Sequence, residues 1–300
     1  MSSIRCVDLL RHAQENSYAV GYFEAWNLES LLAVVRAAEI ARSPVMVGFC
    51  GEYLANPQRK FKEDINLYGA VARQVAQGAS VPVATLLNES IDMNVTYQGV
   101  KADFDMVMFV DEGMPINQLT AVTRKLVEFA HACEVAVEGE VGSLGMADQQ
   151  TGQQKSGHTT DPEIAAKFVA ETGVDALAVS IGNIHFLEGG KVELDFDVLE
   201  QVHERVAVPL VLHGGTGVDK ADFRKTVERG VAKVNVGARL KRVVLESNRQ
   251  YLAESDLSRM NPNDALGRGT ALDMNVRSEA ALIDEVIGFM KAFGSENKSS

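Results

Sequence analysis

The amino-acid sequence predicts a (β/α)8 TIM barrel that forms a single domain over residues 1–300, with an extra helix near its C-terminus. Eight short apolar, β-branched runs alternate with longer amphipathic segments, a pattern typical of a parallel sheet covered by helices on both faces. Eight such units in about 240 residues match the length of a barrel. An open doubly wound sheet is the alternative, but no GxGxxG turn follows the first predicted strand.

The predicted elements follow one another without a composition break. The strands cover residues 18–25, 44–50, 81–87, 104–110, 134–140, 176–181, 208–213 and 232–236. The main helices cover residues 27–42, 64–77, 116–131, 162–172, 196–206, 220–229 and 280–293. Asp161 followed by Pro162 is a helix start signal, because aspartate caps a helix and proline suits its first position. We expect a helical extension at residues 1–16 and a disordered polar tail at residues 295–300.

Composition and charge restrict the class of partner. The chain has 300 residues, 46% of them hydrophobic, and a formal net charge of -12 at pH 7. Such an acidic surface repels nucleic acid and anionic membranes, so neither is expected as a partner. No run approaches the roughly 20 apolar residues of a membrane-spanning helix. The three cysteines show no CxxC spacing, which fits a reducing cytoplasm.

Two predicted strands end at or near a histidine, and this is the strongest chemical signal in the chain. PLVLHGGTG at 209–217 runs from an apolar strand into His213, and DALAVSIGNIH at 175–185 ends in His185. Because the carboxyl ends of barrel strands meet at one edge, both imidazoles are candidate metal ligands. A catalytic zinc site needs about three protein ligands and an open position. Glu89, after the third strand, is the candidate third ligand; otherwise it is a solvated loop carboxylate.

Carboxylates near the end of the fifth strand are candidates for a second metal position or for acid–base chemistry. Glu138 and Glu140 are two residues apart, so both are expected to point to the same side of the strand, into the barrel mouth. The alternative is that they form salt bridges within the barrel.

The glycines after His213 predict an anion site. Gly214, Gly215 and Thr216 open a turn in which backbone N–H groups can converge on an oxyanion. A plain tight turn is the alternative.

Three further side chains are candidate substrate contacts. Asn235 ends the eighth strand and is expected to face the same mouth. Arg239 lies just beyond it and either forks onto a substrate carboxylate or phosphate or carries surface charge. Cys50 ends the second strand, where a cysteine is more often a small buried residue than a nucleophile.

Several motifs together carry a resemblance to a known family. They include VEGEVG at 137–142, TTDPE at 159–163, TGVDALAVSIG at 172–182, PLVLHGGTG at 209–217 and KVNV at 233–236. In motif order and spacing the chain resembles the class II, metal-dependent ketose-bisphosphate aldolases, which include the fructose- and tagatose-bisphosphate enzymes. The resemblance implies a barrel, a homodimer or homotetramer, and zinc or a similar divalent ion such as manganese or cobalt.

The resemblance also implies roles for single residues. His185 and His213 match two of the family's three metal-binding histidines. Glu140 matches an acidic residue that holds a mobile metal in some members. Gly214 and Thr216 match the loop that binds the phosphate on the ketone side of the substrate.

Asn235 matches a family asparagine that contacts the ketone-side substrate.

The end of the third strand departs from the family pattern. The family's HLDH motif aligns with LLNE at 86–89, so the catalytic aspartate has become Asn88 and the third histidine ligand has become Glu89. Asparagine can orient a hydroxyl but cannot exchange a proton near neutral pH. Glu89 can still complete a His2Glu set, which is a known catalytic zinc combination.

Other departures remove side-chain donors from the phosphate site while its glycine loop remains. Five family positions are changed: a lysine to Gly189, a threonine to Ala238, an acidic residue to Arg239, a serine to Cys50 and an asparagine to Glu24. The lost lysine and the gained Arg239 indicate an acidic sugar or sugar phosphate other than fructose 1,6-bisphosphate.

The sequence therefore predicts a metal-dependent lyase that cleaves or forms a C–C bond in a ketose or acidic sugar (phosphate). The ion polarises a ketone and stabilises the enediolate that forms when the bond breaks. The catalytic candidates are Asn88, Glu140 and Asp148, with Glu24 as a further proton carrier. Two alternatives stay open: a metal-dependent sugar isomerase or epimerase, and a non-catalytic binding or regulatory protein on an aldolase scaffold.

Overall fold

The computed structural model of the protein describes residues 5–142, 145–147, 154–155, 158–185, 193–256 and 258–299. Within these ranges, eight parallel strands close into a barrel. In chain order they are β1 (Val20–Glu24), β2 (Val45–Cys50), β3 (Val83–Ser90), β4 (Met106–Phe109), β5 (Ala136–Val141), β6 (Ala176–Val179), β7 (Leu210–Leu212) and β8 (Val231–Val236).

The barrel closes because β1 pairs in parallel with both β2 and β8. Around the circumference the order is β1, β8, β7, β6, β5, β4, β3 and β2. An open doubly wound sheet would leave two unpaired edges, so the predicted TIM barrel is confirmed.

Helices surround the strands. They are α1 (Cys6–Glu15), α2 (Leu28–Ala41), α3 (Gly51–Ala55), α4 (Ile65–Gly78), α5 (Met93–Lys101), α6 (Ile116–Ala132), α7 (Pro162–Thr172), α8 (Phe196–Arg205), α9 (Lys220–Val227), α10 (Ala238–Glu254), α11 (Pro262–Ala265) and α12 (Met274–Phe293). The sequence analysis does not predict α3, α5 and α11, which are short, and it gives no bounds for α10, the last barrel helix, on which Arg239 lies. Among the described residues, no helix combines the length and apolar character needed to cross a bilayer.

Side-chain caps fix the starts of most outer helices. Asn27 and Ser30 form a reciprocal capping box at the start of α2. Aspartates accept hydrogen bonds from first-turn N–H groups at six other helices: Asp64, Asp92, Asp161, Asp195, Asp219 and Asp273. These caps fix the residue at which each of these seven helices begins.

Two apolar layers hold the barrel together. The outer layer lies between strands and helices and includes Phe168 and Phe289. The inner layer fills the barrel itself with side chains such as Met46 and Met106, and α1 adds Leu10 to it from the amino-terminal end. Since α1 closes that end, the carboxyl ends of the strands form the end that can hold a site.

The C-terminal tail packs against the protein as far as residue 299, which corrects the expected disorder at residues 295–300. Ser295 is fully buried, and its hydroxyl accepts a hydrogen bond from Ser43 over 2.8 Å. The N–H of Asn297 donates to the carbonyl of Ala41. Composition does not reveal such contacts, because they use backbone groups and small polar side chains.

Gly69 provides a test of how closely the helices pack. A Cβ at this position, in the middle of α4, would lie 1.5 Å from the carbonyl oxygen of Ala102. Gly69→Ala is therefore expected to lower the free energy of unfolding by about 1–3 kcal/mol, as overpacking does elsewhere. Urea unfolding followed by circular dichroism measures the change.

Gly78→Ala, at the end of the same helix, is the matched control. An added Cβ would meet nothing within 4 Å there. The free energy of unfolding should stay the same or rise by up to about 1 kcal/mol, because alanine favours helix more than glycine does. Equal destabilisation by both variants would contradict the packing argument.

Candidate active site at the barrel mouth

His213 lies at the centre of the mouth, directly after β7, and only 1% of its surface is exposed. Its Nδ1 lies 2.8 Å from Glu89 Oε1, and its Nε2 lies 2.9 Å from Glu138 Oε1. Glu140 Oε2 lies 3.9 Å from the same Nδ1. Burial alone lowers the pKa of His213, but the hydrogen bonds to Glu138 and Glu89 outweigh it and raise that pKa to about 10. The imidazole is thus held between carboxylates from β3 and β5.

A buried ion pair supports this imidazole. Lys233 Nζ donates to Glu138 Oε2 over 2.6 Å, and neither side chain is exposed. Burial raises the pKa of Glu138, but Lys233 and His213 outweigh burial and hold the pKa below its ordinary value. With both oxygens engaged, Glu138 fixes the ring orientation as a carboxylate does behind a metal-ligating histidine.

An irregularity at the end of β3 turns two consecutive side chains into the mouth. The pairing of β3 with β4 shifts register between Leu87 and Ser90. Glu89 adopts a left-handed backbone with φ of 48°, which is unfavourable for a residue with a Cβ. As a result, Asn88 and Glu89 both line the mouth, whereas a regular strand would point them to opposite faces.

The alternation of β5 brings Glu138 and Glu140 to the same side of the strand. The side chain of Glu138 is fully buried, whereas that of Glu140 retains 13% exposure. Burial raises the pKa of Glu140 to about 7; the charge of His213 opposes this rise and that of Glu89 adds to it. Glu140 is therefore the more accessible of the two carboxyl groups.

Amide side chains complete the wall of the mouth. Asn235 Nδ2 donates to Asn88 Oδ1 over 3.3 Å and lies 3.0 Å from His213 Nε2. Asn235 Oδ1 is buried, and no described residue hydrogen-bonds to it. A buried amide oxygen without a partner is unfavourable, so this atom marks a place for a ligand donor. Asn183 donates to the His213 carbonyl over 3.0 Å and so fixes the start of the glycine turn.

The glycine turn and the start of α10 form one side of the mouth, where the sequence predicts an anion site. Gly214 has a φ of 66°, which glycine adopts without strain, and a single 3-10 turn covers Gly215–Gly217. Gly237, which precedes α10, has no side chain to cap that helix, whose first turn carries partial positive charge, and Thr216 Oγ1 accepts from the N–H of Arg239 in that turn over 3.4 Å. A cavity of about 40 Å³ lies here; its lining includes Tyr22, Asn88, Glu89, Gly214, Asn235 and Gly237.

Glu24, at the end of β1, reaches the start of α10. Its Oε1 pairs with the ammonium of Lys241, which lies 4.4 Å from the ring centre of Tyr53. Its Oε2 lies so close to Gly237 that a Cβ there would be 2.6 Å away. Burial raises the pKa of Glu24, and Lys241 opposes that rise.

Arg239 and Cys50 are not among the described residues that line this cavity, which departs from their expected roles as substrate contacts. The Arg239 guanidinium forks onto Glu285 of α12 at 3.0 and 3.4 Å, because α12 packs beside α10. With Thr216, which also lines the mouth cavity, it lines an adjoining groove of about 620 Å³. Cys50 is buried at the end of β2, and burial raises its thiol pKa far above the ordinary value. It is therefore a small packed residue.

His185 does not lie at the end of a barrel strand, which corrects the expectation from the apolar run. β6 ends at Val179, and the chain turns at Gly182, with φ of 93°. The short strand Ile184–His185 then pairs with Gly145–Ala147 outside the barrel. The side chain of His185 and the whole of Asp148 lie outside the described residues.

The donor chemistry of the mouth fits a divalent ion, although the described residues contain no cluster of three or more His, Cys, Asp or Glu side chains placed to hold one. His213 Nδ1 and Glu89 bring together the imidazole and carboxylate donors of catalytic zinc sites. Glu140 approaches the same nitrogen, and Glu138 supports the ring from behind. Two of the three predicted ligands are therefore adjacent.

Comparison with known proteins decides the family. A family model described as fructose-bisphosphate aldolase class-II matches residues 4–298. The chain belongs to this family. A probable fructose-bisphosphate aldolase of Bacillus subtilis (strain 168) is 31% identical over 100% of both chains. A sulfofructosephosphate aldolase of Alkalicoccus urumqiensis is 30% identical over 100% of this chain and 99% of the relative.

A solved structure agrees with the class II aldolase assignment. The crystal structure of the YdjI aldolase from Escherichia coli K12 matches with a TM-score of 0.79 and 27% identity, over 98% of each chain. The resemblance in motif order and spacing is therefore confirmed for the fold and the aldolase family.

Three residues of this class II aldolase mouth, Lys233, Tyr22 and Lys241, are not among the predicted site residues. The position of Lys233 could have indicated its role. This lysine lies inside the apolar strand Val231–Val236, two residues before Asn235, and therefore shares the inward face of the strand with Asn235. Tyr22 could have been found in the same way, because it lies two residues before Glu24 in β1. Nothing in the local sequence indicates Lys241, because its partner Glu24 is distant in the chain.

Removal of Lys233 tests the buried ion pair. Lys233→Met is expected to lower the free energy of unfolding by about 3–5 kcal/mol, because it leaves the Glu138 carboxylate buried without its partner. Lys167→Met, at an exposed lysine 3.9 Å from Glu171, is the control and should change it by less than about 1 kcal/mol. Urea unfolding compares the two, and similar losses would refute a special role for Lys233.

Proposed function

We propose that this class II aldolase relative is a metal-dependent lyase that cleaves or forms a C–C bond in a ketose or acidic sugar, with or without phosphate. The observation that carries the proposal is the convergence of three carboxylates, from Glu89, Glu138 and Glu140, on the buried His213. Lys233 and the protonated His213 balance this charge only in part, and a divalent ion that takes the place of the imidazole proton adds further positive charge. A non-catalytic pocket has no evident need for clustered buried charge.

The ion would be held by three of the predicted ligands, His185, His213 and Glu89, and Glu140, the fourth predicted ligand, is left free for proton transfer. Zinc suits this donor set best, and manganese or cobalt is compatible with it. When bound, such an ion supplies Lewis-acid polarisation of a ketone, which stabilises the negative charge that develops as the C–C bond breaks. Glu138 and Lys233 keep the imidazole oriented, so that Nδ1 stays directed toward Glu89.

We assign proton transfer to Glu140. When a ketose is cleaved, the hydroxyl that becomes the aldehyde loses its proton, and the bonding electrons pass to the ketone fragment. Glu140 accepts that proton and returns one to the carbon of the ketone fragment. Asn88 orients a hydroxyl but cannot carry a proton. Asn235, with its unpartnered oxygen, accepts a hydrogen bond from a substrate hydroxyl.

The substrate is a small-molecule sugar or sugar phosphate other than fructose 1,6-bisphosphate. By its name, the relative from Alkalicoccus urumqiensis acts on sulfofructosephosphate, so altered substrates occur among relatives of this chain. The replacement of the family's aspartate and histidine by Asn88 and Glu89 supports an altered substrate here as well. From the family we also infer a homodimer or homotetramer in the cytoplasm.

Metal content tests the ligand assignment directly. After reconstitution with zinc and desalting, elemental analysis should find about one tightly bound ion per chain. His213→Ala and the milder Glu89→Gln should each lower that content at equal free zinc. His131→Ala, at an exposed histidine on α6, should retain it. Equal zinc retention by all of these variants would refute the assignment.

Isotope exchange tests the chemistry without knowledge of the aldehyde. In D2O the zinc-loaded protein should exchange a C–H proton beside the carbonyl of dihydroxyacetone or dihydroxyacetone phosphate, as followed by proton NMR. Glu140→Gln should lower the exchange rate by about 100-fold or more while zinc content is retained, because the proton carrier is lost.

Glu128→Gln, at an exposed site on α6, is the control for loss of a carboxylate and should exchange at the wild-type rate. Wild-type rates in Glu140→Gln would rule Glu140 out as the proton carrier. Absence of exchange with both ketones in the wild type would reject the lyase proposal.

A further inference from the structure

The mouth contains a carboxylate where the fold would place a substrate anion. In TIM barrels, the loop after the seventh strand and a helix N-terminus near the eighth commonly form a phosphate site. Here these elements are the turn at Gly214 and the start of α10, and Glu24 lines the same cavity with them. The Glu24 side chain comes from β1, on the neighbouring barrel strand.

Contacts show how closely Glu24 fills this place. A Cβ added at Gly237 would lie 2.6 Å from Glu24 Oε2. The carboxylate is therefore in close contact with the residue that precedes α10. Among the side chains of the described residues, only Thr216 Oγ1 accepts from a first-turn N–H of α10, that of Arg239, and an anion is stabilised by such a first turn. Only 7% of Glu24 is exposed, so the carboxylate is built into the wall of the site.

The charges around Glu24 also argue against a phosphate at this place. Glu24 pairs with Lys241, in the first turns of the same helix, and the Lys241 ammonium also stacks on Tyr53. The pair is neutral as a whole, so the charge of Lys241 is already balanced and is not available to an incoming phosphate. A phosphate dianion beside Glu24 would instead meet a like charge in a poorly solvated pocket.

The wall of this cavity also offers a partner for an uncharged group. Asn235 Oδ1, which is buried and has no partner among the described residues, lies on this wall and is an acceptor for a substrate hydroxyl.

We propose that Glu24 is a specificity-determining residue whose carboxylate takes the place of a substrate phosphate, so that the ketone end of the substrate carries an uncharged hydroxymethyl group there. The inference rests on the proposed lyase function and refines its substrate class. The acidic group of the substrate then belongs to the aldehyde half. Lys241 acts as a positioning residue that holds the Glu24 carboxylate.

The first experiment compares two ketones in the zinc-loaded protein. Deuterium exchange of dihydroxyacetone and of dihydroxyacetone phosphate in D2O, followed by NMR, gives kcat/KM for each. The wild type should prefer dihydroxyacetone. Glu24→Asn, which removes both charge and bulk, should shift the ratio toward the phosphate ester by at least tenfold, and Glu24→Gln should shift it less. Glu279→Gln, at a carboxylate that pairs with Arg36 on the outer helices, is the charge-matched control and should leave the ratio unchanged.

A second experiment is independent of activity. Inorganic phosphate should raise the thermal unfolding temperature of Glu24→Asn in a saturable way and leave that of the wild type and of Glu279→Gln unchanged. A phosphate effect in Glu24→Asn without exchange by any variant would support the assignment of Glu24 and reject the lyase function. Exchange that favours dihydroxyacetone phosphate in the wild type, with a ratio unmoved by Glu24→Asn, would overturn the inference and leave the lyase function standing.

Discussion

The buried ion pair between Glu138 and Lys233 is the interaction on which the rest of the mouth depends. Two charges without solvent exposure are unfavourable unless they meet in good geometry, and here Nζ and Oε2 are 2.6 Å apart. The second oxygen of Glu138 is thereby free to hold His213. Three barrel strands, β5, β7 and β8, are tied together at their carboxyl ends through these side chains. The contact with Glu138 thereby fixes the imidazole ring of His213, which faces the site.

The mouth above this ion pair keeps the barrel of the class II aldolase family but carries side chains that depart from the pattern expected for that family. Strain at Glu89, with its positive φ, directs a carboxylate where class II aldolases are expected to have a histidine. A second carboxylate, Glu24, lies beside the start of α10 and is balanced by Lys241. Both carboxylates line the cavity at the mouth; Glu24 has Lys241 as a basic partner, and Glu89 has a strained backbone.

Much of the fold and part of the site were predictable from local pattern. All eight strands follow from short apolar runs, and the shared face of Glu138 and Glu140 follows from the period of a strand. The turn at Gly214 follows from its glycines. Other features were not predictable, since they depend on chain geometry: the register shift that turns both Asn88 and Glu89 inward, and the excursion that takes His185 away from β6.

The sequence by itself determined the barrel, the family and the identity of the groups at the strand ends, because periodicity and motif order are local properties of the chain. Only the tertiary structure decided which of those groups meet. Arg239 turned to Glu285 because α12 packs against α10, and the C-terminal residues packed against the barrel through backbone hydrogen bonds. Lys241 found Glu24 across more than two hundred residues of sequence. Such pairings are set by barrel closure, which brings β1 beside β8, and no window of sequence contains both partners.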